Sequence, residues 1–191
     1  MLAILCDGVG GLEQGELASA SIVYGLREWM DERMLRQSGY AIEKSLEDYL
    51  KMWNQKLYNY SKNHHLRMAT TCSLLLLWNE EYIIVHVGDS RIYALQNQKS
   101  IQLTQDQSFH HALLQSIGYQ ENVCMQISRN KITSDGFLIC SDGLYRTLQN
   151  DELTLRSKTK YQMKQELDDL FSLCKERQET DNISAIWIRI K

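Results

Sequence analysis

A chain of 191 residues that is 43% hydrophobic and 24% charged can fill one sizeable core, and two domains would be cramped, so residues 1–191 read as a single domain. Its formal net charge of −3 gives no cationic field for nucleic acid or an anionic membrane surface, and neither is expected as a partner. The five cysteines (6, 72, 124, 140 and 174) include no Cys-x-x-Cys pair, and Cys6, Cys72 and Cys140 lie in apolar runs, which predicts reduced core thiols of a cytoplasmic protein.

In chain order, Leu2-Ala3-Ile4-Leu5-Cys6 is an apolar run of strand length, too short and too little flanked by base to serve as leader or anchor. It ends in Asp7-Gly8-Val9-Gly10-Gly11, an acid followed at once by a glycine cluster. Helical spacing predicts a first helix over 16–36 and, after Gly39, a second over 41–63. In the second, Ile42, Leu46, Tyr49, Leu50, Trp53, Leu57 and Tyr60 form one stripe, expected as a core face. Two continuous apolar runs follow, 72–78 and 82–87, joined through Asn79-Glu80-Glu81 as a hairpin. Strands this apolar want cover on both faces. Further strands are predicted at 91–95, 100–103, 125–128, 137–140 and 183–190, with helices at 110–117 and 161–174. No repeat or linker divides the chain.

Asp7, Asp142 and Asp181 each stand where an apolar run meets a small or polar loop, and Asp89 occupies a similar place in Gly88-Asp89-Ser90-Arg91. Oxygen ligands without histidine or cysteine spacing suit hard cations, so Mg²⁺ or Mn²⁺ is favoured over Zn²⁺. Any one Asp-Gly alone reads as a turn.

Read together, these stretches resemble the metal-dependent protein serine/threonine phosphatases of the type 2C class. Asp7-Gly8-Val9-Gly10-Gly11 with Gly15-Glu16-Leu17-Ala18-Ser19 is similar to that family's opening, and Thr70-Thr71 to its Gly-Thr-Thr step. Val87-Gly88-Asp89-Ser90-Arg91-Ile92-Tyr93, Leu103-Thr104-Gln105-Asp106-Gln107-Ser108, Cys140-Ser141-Asp142-Gly143-Leu144 and Asp181-Asn182-Ile183-Ser184 follow in the family's order. The resemblance implies an α+β fold, a four-layer α-β-β-α sandwich of two mainly antiparallel sheets flanked by helices. It also implies two Mg²⁺ or Mn²⁺ ions, with Asp7 bridging them, the Gly8 carbonyl binding one, and Asp142 and Asp181 completing the first ion's ligands. Asp89 would help hold a third. A metal-bridging hydroxide would then attack phosphoserine or phosphothreonine on a protein substrate, opposing a serine/threonine kinase.

Several positions depart from the family pattern. No arginine-bearing segment stands ahead of Asp7, so the phosphate-gripping residue is unassigned and the first sheet is expected one or two N-terminal strands short. Gln107 replaces a histidine, Val9 stands where some members have a histidine, and Glu179-Thr180 precede Asp181 where glycine is common. A weakly active or non-catalytic binding module, or a fragment of a longer phosphatase, is the rival expectation. Among the histidines, His64-His65 read as surface and His86 as core, while His110-His111 are the pair to watch as a general acid. Arg91 is expected to make a structural hydrogen bond or salt bridge, and Cys6 and Cys140 lack the cationic setting of a nucleophile.

Overall fold

An unbroken apolar run of leucines makes Cys72–Trp78 (β2) a strand, and Asn79, with φ +55°, turns it back into the Ile- and Val-rich Glu81–Val87 (β3). The computed structural model describes residues 1–30, 39–110, 112–153, 157 and 159–190, which form two compact units. One comprises Met1–Ser90 and Asp106–Ile132, the other Arg91–Gln105 and Thr133–Lys191.

In the first unit the hairpin is the centre of an antiparallel sheet, ordered β1-β2-β3-β8, with Leu2–Leu5 (β1) at one edge and Gln126–Lys131 (β8) at the other. The register sets Cys72 opposite Val87, Leu74 opposite Val85 and Leu76 opposite Ile83, so one face of the hairpin is continuous hydrocarbon. Gly15–Trp29 (α1) and Gly39–His64 (α2) bring Ala18, Ile22, Leu26, Ile42, Leu46 and Leu50 to that same core, all fully buried. Each such Leu or Ile contributes about 1.5–3 kcal/mol by leaving water. The stripe on α2 is therefore a core face as expected, except that Tyr60 lies 43% exposed and stacks on His64 instead. The part of the predicted first helix beyond residue 30 lies outside the described residues.

The second unit holds the other antiparallel sheet, ordered β10-β9-β4-β5. Its strands are Ala185–Arg189 (β10), Gly136–Cys140 (β9), Arg91–Gln96 (β4) and Lys99–Gln102 (β5). The helix predicted over 161–174 runs Lys160–Glu176 (α4), capped at its start by Thr159, whose hydroxyl accepts the Gln162 N–H. Its Leu170 and Cys174 pack with Tyr93, Leu138, Leu144 and Leu153. The α+β class and the antiparallel sheets are thus as the sequence predicted.

One helix is not. Residues 110–117 show the spaced leucines of a helical turn, but the chain there forms Ser108–Phe109 (β6) and Ala112–Leu113 (β7), a small hairpin, and His110 takes φ +46°. The backbone of Ile117 is engaged elsewhere, exchanging hydrogen bonds with Thr70 at 2.9 and 3.1 Å. Tertiary pairing outweighs helix propensity here.

Candidate metal centre

Asp7 leaves the end of β1 held by backbone and hydroxyl groups on both sides. Its N–H donates to Thr71 Oγ1 at 3.0 Å, and its carbonyl accepts from the Thr71 N–H at 2.8 Å and from Thr70 Oγ1 at 2.9 Å. Gly8 follows in a β-bridge to Thr70. A Cβ on Gly8 would sit 2.6 Å from the carbonyl carbon of Gly15, so only glycine lets the start of α1 approach this loop. The sequence places an acid at a strand end, and the paired threonines fix its backbone.

The same threonine reaches the Asp89 loop. Thr71 Oγ1 lies 3.1 Å from Ser90 Oγ, and Asp89 is buried. Gln107 clamps the loop from the other side: its Oε1 accepts the Gly88 N–H at 2.9 Å, and its own N–H donates to the Gly88 carbonyl at 2.8 Å. The residue that departs from the family pattern is therefore a fastener of the Gly88-Asp89 turn. Beneath, Ser73 Oγ donates to the Ser90 carbonyl at 3.0 Å. Since a hydroxyl has one proton, His86 Nδ1, 2.9 Å away, supplies the hydrogen of their contact, and His86 is a buried core residue as predicted.

In the second unit Asp142 and Asp181 are brought together. The Ser141 N–H donates to the Ser184 carbonyl and Ser184 N–H to Ser141 Oγ, both at 3.0 Å, stitching the end of β9 to the approach to β10. Gly143 faces the Asn182 carbonyl so closely that a Cβ would collide with it. Asp142 opens a single helical turn, Asp142–Tyr145 (α3), and takes the Gly143 N–H on its own Oδ1 at 2.8 Å. Asp181 Oδ1 likewise accepts the Asn182 N–H at 2.8 Å, and Glu179 Oε1 accepts the Thr180 and Asp181 N–H groups at 2.9 and 3.0 Å.

Between the two aspartates stands a cation from the chain itself. Arg146 Nη2 lies 2.6 Å from Asp142 Oδ2, and its Nη1 lies 3.9 Å from Asp181 Oδ2. Sequence reading missed this residue, although Asp142 and Arg146 stand four apart, the helical ion-pair spacing. Burial raises the Asp142 pKa above its usual value; Arg146 lowers it, Asp181 raises it, the Gly143 N–H lowers it and Glu179 raises it. A pair of loops that crowds acids around one guanidinium is short of positive charge. Its donors are all hard oxygens, which fits Mg²⁺ or Mn²⁺. Among the described residues no three His, Cys, Asp or Glu side chains already form a ligand cluster.

Arg91 stacks on the Tyr145 ring at 3.5 Å and donates to Tyr93 Oη at 3.1 Å, the structural role expected of it. Hydrogen bonding with Cys72, then burial, pushes the Cys6 thiol well above its usual pKa, the reverse of an activated nucleophile. His64, His65 and His110 are exposed; His111 lies outside the described residues.

Two antiparallel sheets whose strand ends deliver carboxylates into glycine-bearing loops define an α+β protein suited to hard cations. The family model for protein phosphatase 2C matches residues 1–186, and the chain belongs to that family. Among curated proteins it is 27% identical to the serine/threonine phosphatase stp of Listeria monocytogenes serotype 4b, covering 98% of this chain and 83% of that one. It is 30% identical to the protein phosphatase PhpP of Streptococcus pneumoniae, covering 80% and 67%. The solved structure of serine/threonine phosphatase Stp1 from Staphylococcus aureus superposes with a TM-score of 0.87, at 24% identity over 100% of this chain and 84% of that one. No helix among the described residues is long and apolar enough to cross a membrane.

Proposed function

We propose that this chain, acting as one domain, is a Mg²⁺/Mn²⁺-dependent phosphatase of phosphoserine and phosphothreonine in cytoplasmic proteins, opposing a serine/threonine kinase. The observation that carries the reading is the pairing of Asp142 with Asp181 across the Gly143–Asn182 contact, in a chain of the protein phosphatase 2C family. Asp7, the Gly8 carbonyl, Asp142 and Asp181 are the proposed ligands of two ions, and Asp89 of a third.

Bound ions would make nearby water more acidic and offset charge on the phosphoryl oxygens. The chain's own part is to hold the acids still. The Asp7 backbone is fixed by Thr70 and Thr71, that of Gly88 beside Asp89 by Gln107, and the Asp142 and Asp181 loops by Ser141 and Ser184. Hydrolysis breaks the phosphorus–oxygen bond to the serine or threonine; water supplies the oxygen that joins phosphorus and the proton that joins the leaving oxygen.

The test is hydrolysis of a simple aryl phosphate and of phosphoserine and phosphothreonine peptides in excess Mn²⁺, beside Asp7→Asn and Asp142→Asn. Turnover that both substitutions abolish is expected. Background rates from the unmodified chain would leave it a non-catalytic binding module.

A further inference from the structure

Arg146 is placed with unusual economy. Its backbone N–H donates to the Asp142 carbonyl at 2.9 Å, closing the turn of α3, so its Cα is fixed one helical turn from Asp142. From there the guanidinium engages Asp142 Oδ2 at 2.6 Å and reaches towards Asp181 Oδ2 at 3.9 Å, with the side chain one-third exposed. Glu179, tied by its Oε1 to the backbone of 180 and 181, adds a third negative charge to the same small space. One arginine thus faces two acids with a third acting on the nearer of them, and the group it grips most closely is one of the proposed ligands.

We propose that Arg146 is a built-in counter-cation of the Asp142–Asp181 pair, which a divalent ion must displace, so that this side chain sets the metal affinity of the site. The inference rests on the reading of Asp142 and Asp181 as ligands. The physical case is competition of two cations for the same carboxylate. Mg²⁺ binds carboxylate oxygen at about 2.0–2.1 Å, and although each oxygen has a lone pair to spare, a guanidinium 2.6 Å from Oδ2 already offsets its charge and crowds the cation's approach. The guanidinium also repels the incoming cation. In the metal-free protein, by contrast, it keeps the aspartates from driving each other apart. Because α3 tethers it, the displaced side chain stays beside the site.

The experiment is calorimetric titration with Mn²⁺ of the wild-type chain, Arg146→Met, Arg146→Gln and Arg146→Lys, each with Asp142→Asn as a background control. Losing one charge-assisted bond corresponds to roughly 10- to 100-fold in an equilibrium constant, so both neutral variants should bind Mn²⁺ about that much more tightly, and the lysine variant should stay nearer wild type. The metal-free melting temperature should fall in Arg146→Met and Arg146→Gln, and saturating Mn²⁺ should raise it by more than in wild type. Equal or weaker Mn²⁺ binding in both neutral variants overturns the inference and leaves the metal reading standing. Mn²⁺ binding by neither wild type nor variants overturns the metal reading, and the inference with it. Binding that survives Asp142→Asn places the ions elsewhere and likewise overturns it.

Discussion

The two units carry their acids by different physical means. Around Asp7 every contact described above is neutral: amide to hydroxyl, hydroxyl to carbonyl, and glycine against backbone. Around Asp142 and Asp181 the contacts include a guanidinium and a third acid, and the Asp142 carboxyl holds its proton more readily than an isolated one. A neutral scaffold holds its geometry whatever ions are present. A charged one depends on which cation occupies it. The backbone that carries Asp7 should therefore keep its geometry across salt and pH, and the Asp142–Asp181 loop should be where a resident cation of the chain responds to metal, pH and salt.

Asp142→Asn breaks the comparison most severely. Removing a hydrogen-bonding partner of a metal ligand typically costs about 10–100-fold, so losing a proposed direct ligand should lower Mn²⁺-dependent turnover by more than ~100-fold. The same substitution should not destabilise the metal-free fold at neutral pH. The sign follows from the raised pKa: the stabilising contribution of Asp142 is complete below the unfolded value of 3.8 and is lost as pH rises through the higher folded value. At pH 7 the ionised carboxylate is a liability that asparagine lacks. Thermal melting without metal, beside the rate assay, separates the two effects; a melting point well below wild type would refute the claim.

The neutral scaffold should fail structurally instead. Gly8→Ala forces a methyl group into the backbone of Gly15, where no side chain can give way, and overpacking of this kind costs about 1–3 kcal/mol. Thr71→Val is gentler. It keeps the shape but removes the hydroxyl that accepts the Asp7 N–H and meets Ser90, for about 1–2 kcal/mol. Urea denaturation should show both losses undiminished in high salt, since no charge is involved. A salt-dependent loss would mean the Asp7 loop is electrostatic after all.

How far the sequence foretold these regions depends on the kind of order involved. Strand ends that deliver Asp7 and Asp142 were legible because continuous apolar runs and Asp-Gly junctions are local signals, and Asp181 because it stands just ahead of the last apolar run. The hairpin of β6 and β7 was not, because Leu113, Leu114 and Ile117 imitate helical spacing while the backbone partner that decides the matter, Thr70, lies far away in the chain. Gln107 looked like a lost histidine until its two bonds to Gly88 gave it a structural task. Arg146 was hidden differently. Its spacing to Asp142 was available, but a helix of one turn, Asp142–Tyr145, leaves too short a pattern to mark the pair.

The smallest effect tests whether charge matters beyond the acid pair. Arg177, which caps α4, forms a two-pronged pair with Glu152, Nη1 to Oε2 at 2.7 Å and Nη2 to Oε1 at 2.6 Å, and also donates to the Thr147 carbonyl at 2.7 Å. It thereby ties the end of α4 to the segment that follows α3. The arginine, then the Gln149 N–H, hold Glu152 down to about 2. A depressed carboxylate stabilises the fold above its unfolded value of 4.5, and that contribution fades as pH falls from 4.5 towards 2. Because the pair faces solvent, the effect should be small and reduced by salt. Glu152→Gln should flatten the melting temperature against pH in that window and change little at pH 7. Arg146 pairs with its acid in the same bidding of guanidinium for carboxylate, but there burial raises the acid's pKa where here the pairing lowers it. If Glu152→Gln shifted Mn²⁺ affinity as strongly as Arg146→Met, the metal response would belong to the unit's charge as a whole rather than to the one arginine at the acids.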